Sequence, residues 1–235
     1  MPETADRVET LAAYHRDEVS VCVRCALSET RTQVVVGDGA LDADLMFVGE
    51  APGYHEDRQG IPFVGASGKL LTGLLEGIGL QRSDVFIANV LKCRPPGNRD
   101  PAPAEIRSCE PHLFRQISLI RPRMVCTLGN FATKLLSGRP DGISRVHGHE
   151  LPIEVGGHRL LLYPLFHPAA ALYARAMLST LEADFARIPE LLGTVPPEPA
   201  LASAPPPPPT ATAVPAGPAP PQEAPAAEDE QLGLF

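Results

Sequence analysis

The chain has 235 residues, enough to bury one sizeable core, and 20 Lys+Arg against 28 Asp+Glu give it a net charge of −8. Thirteen of its 27 prolines and five of its acids, with no Lys or Arg, fall in the last 43 residues; taking those five charges from −8 leaves −3 on the rest, so the acidity does not exclude a nucleic-acid partner. The N-terminus lacks a signal peptide's apolar stretch and no apolar run approaches the ~20 residues that cross a bilayer, which predicts no membrane association and a cytoplasmic protein in which structural disulfides are rare.

Residues 3–18 predict an amphipathic helix with Leu11, Ala12 and Ala13 on one face, and Cys22 and Cys25 follow in a short turn. Segments 33–36 and 45–48 predict two strands joined by the turn Gly37-Asp38-Gly39. A helix over about 68–78 stops at Gly79, and 85–90 is the next apolar strand. A proline-rich loop, 93–103, leads into a helix over about 104–120. Residues 124–128 read as a buried strand closed by Gly129, and a helix over about 130–136 follows. Segments 151–155 and 160–166 predict a hairpin or adjacent strands across Gly156-Gly157, and 169–192 is helical with a break at Pro189.

Strands alternating with helices predict an α/β, three-layer α/β/α sandwich around a mainly parallel sheet of four to five strands. The folded domain spans 1–192. Segment 193–230, rich in Pro and Ala, holds too little bulky apolar content to offset its ordering entropy and predicts disorder, and the last five residues, 231–235, are a separate short peptide.

Residues 49–71, GEAPGYHEDRQGIPFVGASGKLL, leave a strand's carboxyl end and enter a helix, where open α/β proteins hold ligands. Five glycines and two prolines bend this stretch; Glu50, Glu56, Asp57 and Phe63 are its chemistry. Taken alone, such acids also have a plainer reading, the weaker of the two, as a solvated surface loop. Asn89 ends the next strand with an amide that offers a donor and an acceptor together, as an imide or nucleobase edge requires. Its plainer reading is a turn residue. His167, ahead of Pro168 and a helix, can donate to developing negative charge, although a lone strand-end histidine is more often structural. A parallel sheet would gather all three strand ends in one crevice.

The cysteines form a second constellation. Cys22-x2-Cys25 with Cys93 and Cys109, which have 15 residues between them, could hold zinc or an iron–sulfur cluster, and the unmatched spacing disfavours a zinc ribbon. Cys126 lies inside a strand and reads as a core residue. Lys92, Arg94, Arg99 and Arg107 cluster in a single connection.

Taken together, Cys-x2-Cys, GEAPG-x2-ED-x2-G-x-PFVG-x-SG, N-x2-KCRPPGNRDP, a later Cys and HPAA run in one order from about Cys22 to Leu172. The set resembles the family 4 uracil-DNA glycosylases of the uracil-DNA glycosylase superfamily. The resemblance implies the superfamily's fold and hydrolysis of the N-glycosidic bond of uracil, flipped out of DNA, leaving an abasic site in base-excision repair. It implies Glu50, Asn89 and His167 as catalytic residues, and a uracil pocket made with Gly49, Ala51, Gly53, Glu56 and Phe63. It turns the open metal into a structural [4Fe-4S] cluster on Cys22, Cys25, Cys93 and Cys109. Ser67, Lys92, Arg94, Arg99, Arg145, His147 and Leu172 become expected DNA contacts, with Leu172 or Tyr173 as a wedge into the vacated stack. The catalytic domain is expected to be monomeric.

Two departures stand out. Family 1 relatives carry Gly-Gln-Asp-Pro-Tyr where this chain has 49–53, so Ala51 replaces the water-aligning acid and Gly53 the thymine-excluding tyrosine. This assigns the water to Glu50, the exclusion of thymine's methyl group to Glu56, and a structural role to Asp57. Ser144-Arg145-Val146-His147-Gly148 has His where relatives often show Arg; without an inserted loop after Asn89, His147 reads as a phosphate or loop contact.

The final Gln231-Leu232-Gly233-Leu234-Phe235 resembles the peptide by which bacterial proteins dock on the DNA-polymerase sliding clamp, with Leu232, Leu234 and Phe235 filling a groove and Gln231 as polar anchor. The Pro/Ala tether, at roughly 3.1 Å per residue as polyproline II, would reach over about 100 Å. The resemblance thus places the protein in a bacterial cytoplasm, associated with the nucleoid when on DNA.

Overall fold

In the computed structural model, which describes residues 4–172 and 174–195, the apolar runs of the sequence form the middle of a six-stranded sheet. The strands are β1 (Asp38–Gly39), β2 (Leu45–Gly49), β3 (Phe86–Asn89), β4 (Met124–Leu128), β5 (Leu151–Val155) and β6 (His158–Leu165), in the spatial order β1-β3-β2-β4-β6-β5. The four inner strands are parallel; β1 and β5 pair antiparallel at the two edges. Every residue of β2, β3 and β4 is buried, as parallel strands covered on both faces require.

The helices are α1 (Thr4–Tyr14), continued by a π-helical turn at His15–Val19, then α2 (Leu27–Thr30), α3 (Tyr54–Gln59), α4 (Ala66–Gly77), α5 (Pro103–Ile120), α6 (Asn130–Ser137), α7 (Ile143–Val146), α8 (Pro168–Ala171), α9 (Arg175–Ala186) and α10 (Ile188–Thr194). Alternate side chains along each strand feed two cores. Met46, Val48 and Ala88 pack with Leu11, Leu113, Ile117 and Ala132 of α1, α5 and α6. Leu45, Phe47 and Ile87 pack with Leu71, Leu75, Leu181 and Phe185 of α4 and α9, and the Phe47 and Phe185 rings stack at 5.7 Å. The three-layer expectation holds, with a wider sheet than expected. Among the described residues, no helix is long and apolar enough to cross a membrane.

Three local expectations are corrected. Segment 33–36 is not a strand: Val35 makes one backbone bond to the Lys92 carbonyl at 2.8 Å, and Asp38–Gly39, expected to be a turn, takes the slot beside β3. Segment 49–71 is not one loop, since α3 interrupts it and closes on Gly60 in the left-handed conformation, φ 72°. The expected helix over 169–192 is three helices, with Pro189 in the first turn of the last, which extends to Thr194. Segment 196–235, with the proposed linker and terminal peptide, lies outside the described residues.

The connections place the site. The path from β2 to β3 runs through α4 on one face, and that from β3 to β4 through α5 on the other, so the chain leaves β2 and β3 in opposite directions. The carboxyl ends of parallel strands meet at such a switch. Gly49, Asn89 and Leu165 end β2, β3 and β6 at that edge.

Candidate active site

A cavity of about 390 Å³ opens at this edge, and Glu50, Ala51, Gly53, Glu56, Phe63, Asn89 and His167 all line it, with Ser67 and Arg99 at its wall. Gly49 lies beneath, where a Cβ would stand 2.4 Å from Asn89 Oδ1 and 2.7 Å from the Phe63 ring. The sequence reading thus brings its expected pocket residues to one place. It missed Pro95 and Asn98, which close the cavity from the loop ahead of α5. The Gly97-Asn98 turn, with both residues at positive φ, was the available signal.

Phe63 forms one wall, and its ring stacks on that of His167 at 5.6 Å. Its backbone sits in the left-handed region, φ 54°, uncommon for a bulky residue. Arg82 holds it there: Nη1 donates to the Phe63 carbonyl at 3.1 Å, and Nη2 donates to the Pro62 carbonyl at 2.8 Å and pairs with Asp38 at 3.2 Å. Gly68 lets this turn lie against α4, since a Cβ there would fall 1.8 Å from the Phe63 carbonyl oxygen. Sequence reasoning did not find Arg82, which is 19 residues from its partner in a different connection.

His167 caps α8 and its Nδ1 accepts the Ala169 amide at 3.1 Å. The neutral ring therefore carries its proton on Nε2, which is left to act as a donor. Burial holds the ring neutral, pulling its pKa to about 4, against an opposing pull from Glu56. Glu50 is half-buried, and desolvation, with a smaller contribution from Asp100, raises its carboxyl above the ordinary value. Glu56 Oε1 accepts the amides of Val64 and Gly65, both at 3.1 Å, so the residue anchors the Phe63 turn as well as lining the cavity. Asp57 is buried and accepts the Thr32 amide at 2.9 Å, which suits a structural role.

The expected DNA contacts divide. Lys92 is only 2% exposed and does not face outward: its Nζ donates to the Asn89 carbonyl at 2.8 Å and to Gln116 Oε1 at 2.6 Å, so the expectation of a backbone contact is corrected. Arg99 is exposed but forked onto Glu105 at 2.6 and 2.9 Å. Arg94 bonds Asn98 at 2.6 Å, and exposed Arg145 lies 3.4 Å from Asp141. His147 bonds Asp184 at 2.8 Å and packs on Phe166 with ring centroids 4.3 Å apart. Leu172 is exposed at the end of α8; Tyr173 lies outside the described residues.

Cys22, Cys25, Cys93 and Cys109 are free thiols lining one small enclosed space. Arg31 Nη1 lies 3.3 Å from Cys93 Sγ and the Lys92 amide 3.2 Å from Cys109 Sγ. His112 Nε2 is 3.2 Å from Cys22 Sγ and its Nδ1 is 2.6 Å from the Tyr14 hydroxyl; with Tyr14 as donor, the ring proton sits on Nε2, facing the sulfur. Burial pushes the Cys109 thiol up to about 11, with the Lys92 charge and amide pulling it back. Among the described residues no group of three or more Cys, His, Asp or Glu is arranged to hold a metal ion. Cys126 is fully buried in the core, as expected.

The family model of the uracil DNA glycosylase superfamily matches residues 36–191, which takes in the whole cavity. The type-4 uracil-DNA glycosylase of Saccharolobus solfataricus is 46% identical over 185 residues, 77% of this chain and 86% of its own. That of Archaeoglobus fulgidus is 46% identical over 184 residues, 77% and 92%, and that of Thermotoga maritima 44% over 170 residues, 72% and 86%. The chain belongs to the uracil-DNA glycosylase superfamily.

Within this superfamily fold, the wall at Phe63 depends on space that glycine leaves. Gly68→Ala is expected to lower stability by on the order of 2–4 kcal/mol. Gly73→Ala on the same helix, where nothing stands within 4 Å of the new Cβ, should raise it by up to about 1 kcal/mol. Urea denaturation of the two variants checks both signs.

Proposed function

We propose that this chain is a monofunctional uracil-DNA glycosylase of base-excision repair, acting on uracil flipped into the cavity at the strand ends. The observation that carries the reading is a neutral His167, its Nδ1 engaged by the Ala169 amide, stacked on Phe63 in a cavity shared with Asn89 and Glu50. Extruded uracil stacks on Phe63. The Asn89 amide accepts from the base N3–H and donates to the adjacent carbonyl, a pattern that cytosine presents in reverse. Glu56, which lines the cavity, would exclude a C5 methyl group in place of the tyrosine that Gly53 does not supply.

The C1′–N1 bond breaks with its electron pair leaving on uracil, and water adds to the cationic C1′. His167 Nε2–H donates to the uracil anion, a preorganised interaction of about 3–4 kcal/mol. Glu50, as carboxylate, orients the water and faces the positive sugar, since Ala51 cannot. A strand-cleavage assay on uracil-containing oligonucleotides, developed with alkali, tests the reading; absence of abasic sites would refute it. In single turnover, Glu50→Gln should lose most excision while DNA binding survives. The wild-type rate should rise with pH through an ionisation above the ordinary carboxylate range, because Glu50 must lose its proton, and the Glu50→Gln rate should stay flat there.

Cys22, Cys25, Cys93 and Cys109 would hold a [4Fe-4S] cluster. The enclosed thiol set and the N–H groups aimed at three of the sulfurs suit anionic sulfur ligands. When bound, the group supplies a rigid brace between the 22–25 turn and the segment from Cys93 to α5. Iron and acid-labile sulfide should copurify in near-equal amounts, and Cys109→Ala should lose both.

Ser67, Arg94, Arg99, Arg145, His147 and Leu172 would face the DNA, with Lys92 bracing the Asn89 strand end from inside. Gln231, Leu232, Leu234 and Phe235 would dock on a bacterial sliding clamp through the tether that follows α10, whose end takes up the first two expected linker residues, 193 and 194. Docking would raise local enzyme concentration on replicating DNA in the bacterial cytoplasm, with the domain itself monomeric. Deletion of 231–235 should abolish capture on immobilised clamp and leave excision on short oligonucleotides intact; clamp capture that persists would overturn the docking role.

A further inference from the structure

Tyr54, the first residue of α3, is a large aromatic left 49% exposed immediately after the cavity residue Gly53. Two cations gather on it. The Arg58 guanidinium carbon stands 5.7 Å from the ring centroid, one helical turn along α3, with Nη1 donating to the Tyr54 hydroxyl at 3.4 Å and Nη2 and Nε left for another partner. That of Arg94 stands 5.2 Å away, reaching in from the loop after β3. Arg94 is steadied by its Nε bond to Asn98 Oδ1 at 2.6 Å, and Asn98 itself lines the cavity. The cluster is therefore continuous with the rim of the site and assembled from two separate segments.

A guanidinium over an aromatic ring uses its face and keeps its in-plane N–H edge for another partner. Arg94 spends only Nε on Asn98, whereas the fork of Arg99 nearby is closed on Glu105. Edge-presented guanidinium pairs match phosphate oxygens in geometry as well as charge. A nucleobase stacking where the Arg94 guanidinium lies would have to displace it, so the ring serves there as a support for the arginine rather than as a base platform.

We propose that Tyr54, Arg58 and Arg94 form a phosphate clamp that grips the DNA backbone at the cavity rim, with the Tyr54 ring holding the two guanidiniums in register. The clamp rests on the glycosylase reading only in taking this face as the DNA side. Neither Tyr54 nor Arg58 was singled out by the motifs, and their part is in binding rather than bond cleavage.

Fluorescence anisotropy of the full chain on a uracil-free duplex, titrated across salt, tests it without turnover. Arg58→Gln should flatten the slope of log affinity against log salt by about 0.9, the value for one phosphate contact on duplex DNA. Tyr54→Ala should weaken binding about 3- to 10-fold at low salt although no charge is lost, and Tyr54→Phe should recover most of that affinity. On uracil duplex, Tyr54→Ala should raise KM by a larger factor than it lowers kcat. An unchanged salt slope in Arg58→Gln would overturn the clamp. So would wild-type affinity in Tyr54→Ala, or a Tyr54→Ala defect that vanishes when the nucleotide flanking the site lacks its base, the mark of stacking. A wild-type chain that binds duplex with the expected slopes yet excises no uracil would refute the glycosylase reading and leave the clamp standing.

Discussion

The left-handed backbone at Phe63 is the constraint on which the site depends. A bulky residue in that region costs on the order of 1–3 kcal/mol and persists only where its surroundings over-determine it. Here they do, from three directions. Arg82 binds the two carbonyls of the turn, Glu56 binds the two amides that follow it, and Gly49 and Gly68 leave the volume that the ring and its carbonyl occupy. The strain yields a wall set against His167 and above Asn89, a placement that a relaxed loop would not hold. Asp38, at the sheet's short edge strand, pairs with Arg82, so the edge that carries little core still bears on the pocket.

A second support runs beneath the other wall. Lys92 is buried with its ammonium on the Asn89 carbonyl and on Gln116, and Gln116 donates onward to the Val36 carbonyl at 2.8 Å. Burial lowers its pKa to about 8, and these two acceptors satisfy the ammonium in the core. The backbone amide of the same residue points at Cys109 Sγ. One residue therefore ties the Asn89 strand end to the helix and thiol set behind it. Truncating it would leave buried acceptors unpaired, which is a structural cost distinct from any loss of attraction for DNA.

These two supports explain which parts of the molecule were legible in the sequence. The inner strands were, because strands covered on both faces must be continuous apolar runs, and the cavity residues followed from where those runs end. β1 was not: Asp38–Gly39 has no apolar signal and exists through its pairing with β3, a tertiary effect. α3 was hidden because Tyr-His-Glu-Asp-Arg-Gln has no apolar period and lies between glycines. Lys92 was misread for a physical reason, since lysine is normally found in water and it is the Asn89 carbonyl and the distant Gln116 that make burial tolerable. Arg82 was missed likewise, because a clamp on backbone carbonyls leaves no mark in the sequence of the segment it holds.

The electrostatics of the cavity then follow from burial more than from net charge. Glu50 and Glu56 line the same cavity, and an imidazolium at His167 would be drawn to Glu56, the charge that already pulls its pKa upward. Burial prevents this by keeping the ring neutral well below physiological pH, and the Ala169 amide fixes which nitrogen carries the proton. A neutral donor makes little of its interaction with uncharged uracil and much more with the anion, which is the difference that lowers a barrier. The cavity carboxylates repel phosphate at a distance, and in the proposed reaction Glu50 stabilises a cationic sugar at contact. The arginines must therefore sit at the rim, where they can hold the backbone without neutralising the acids inside.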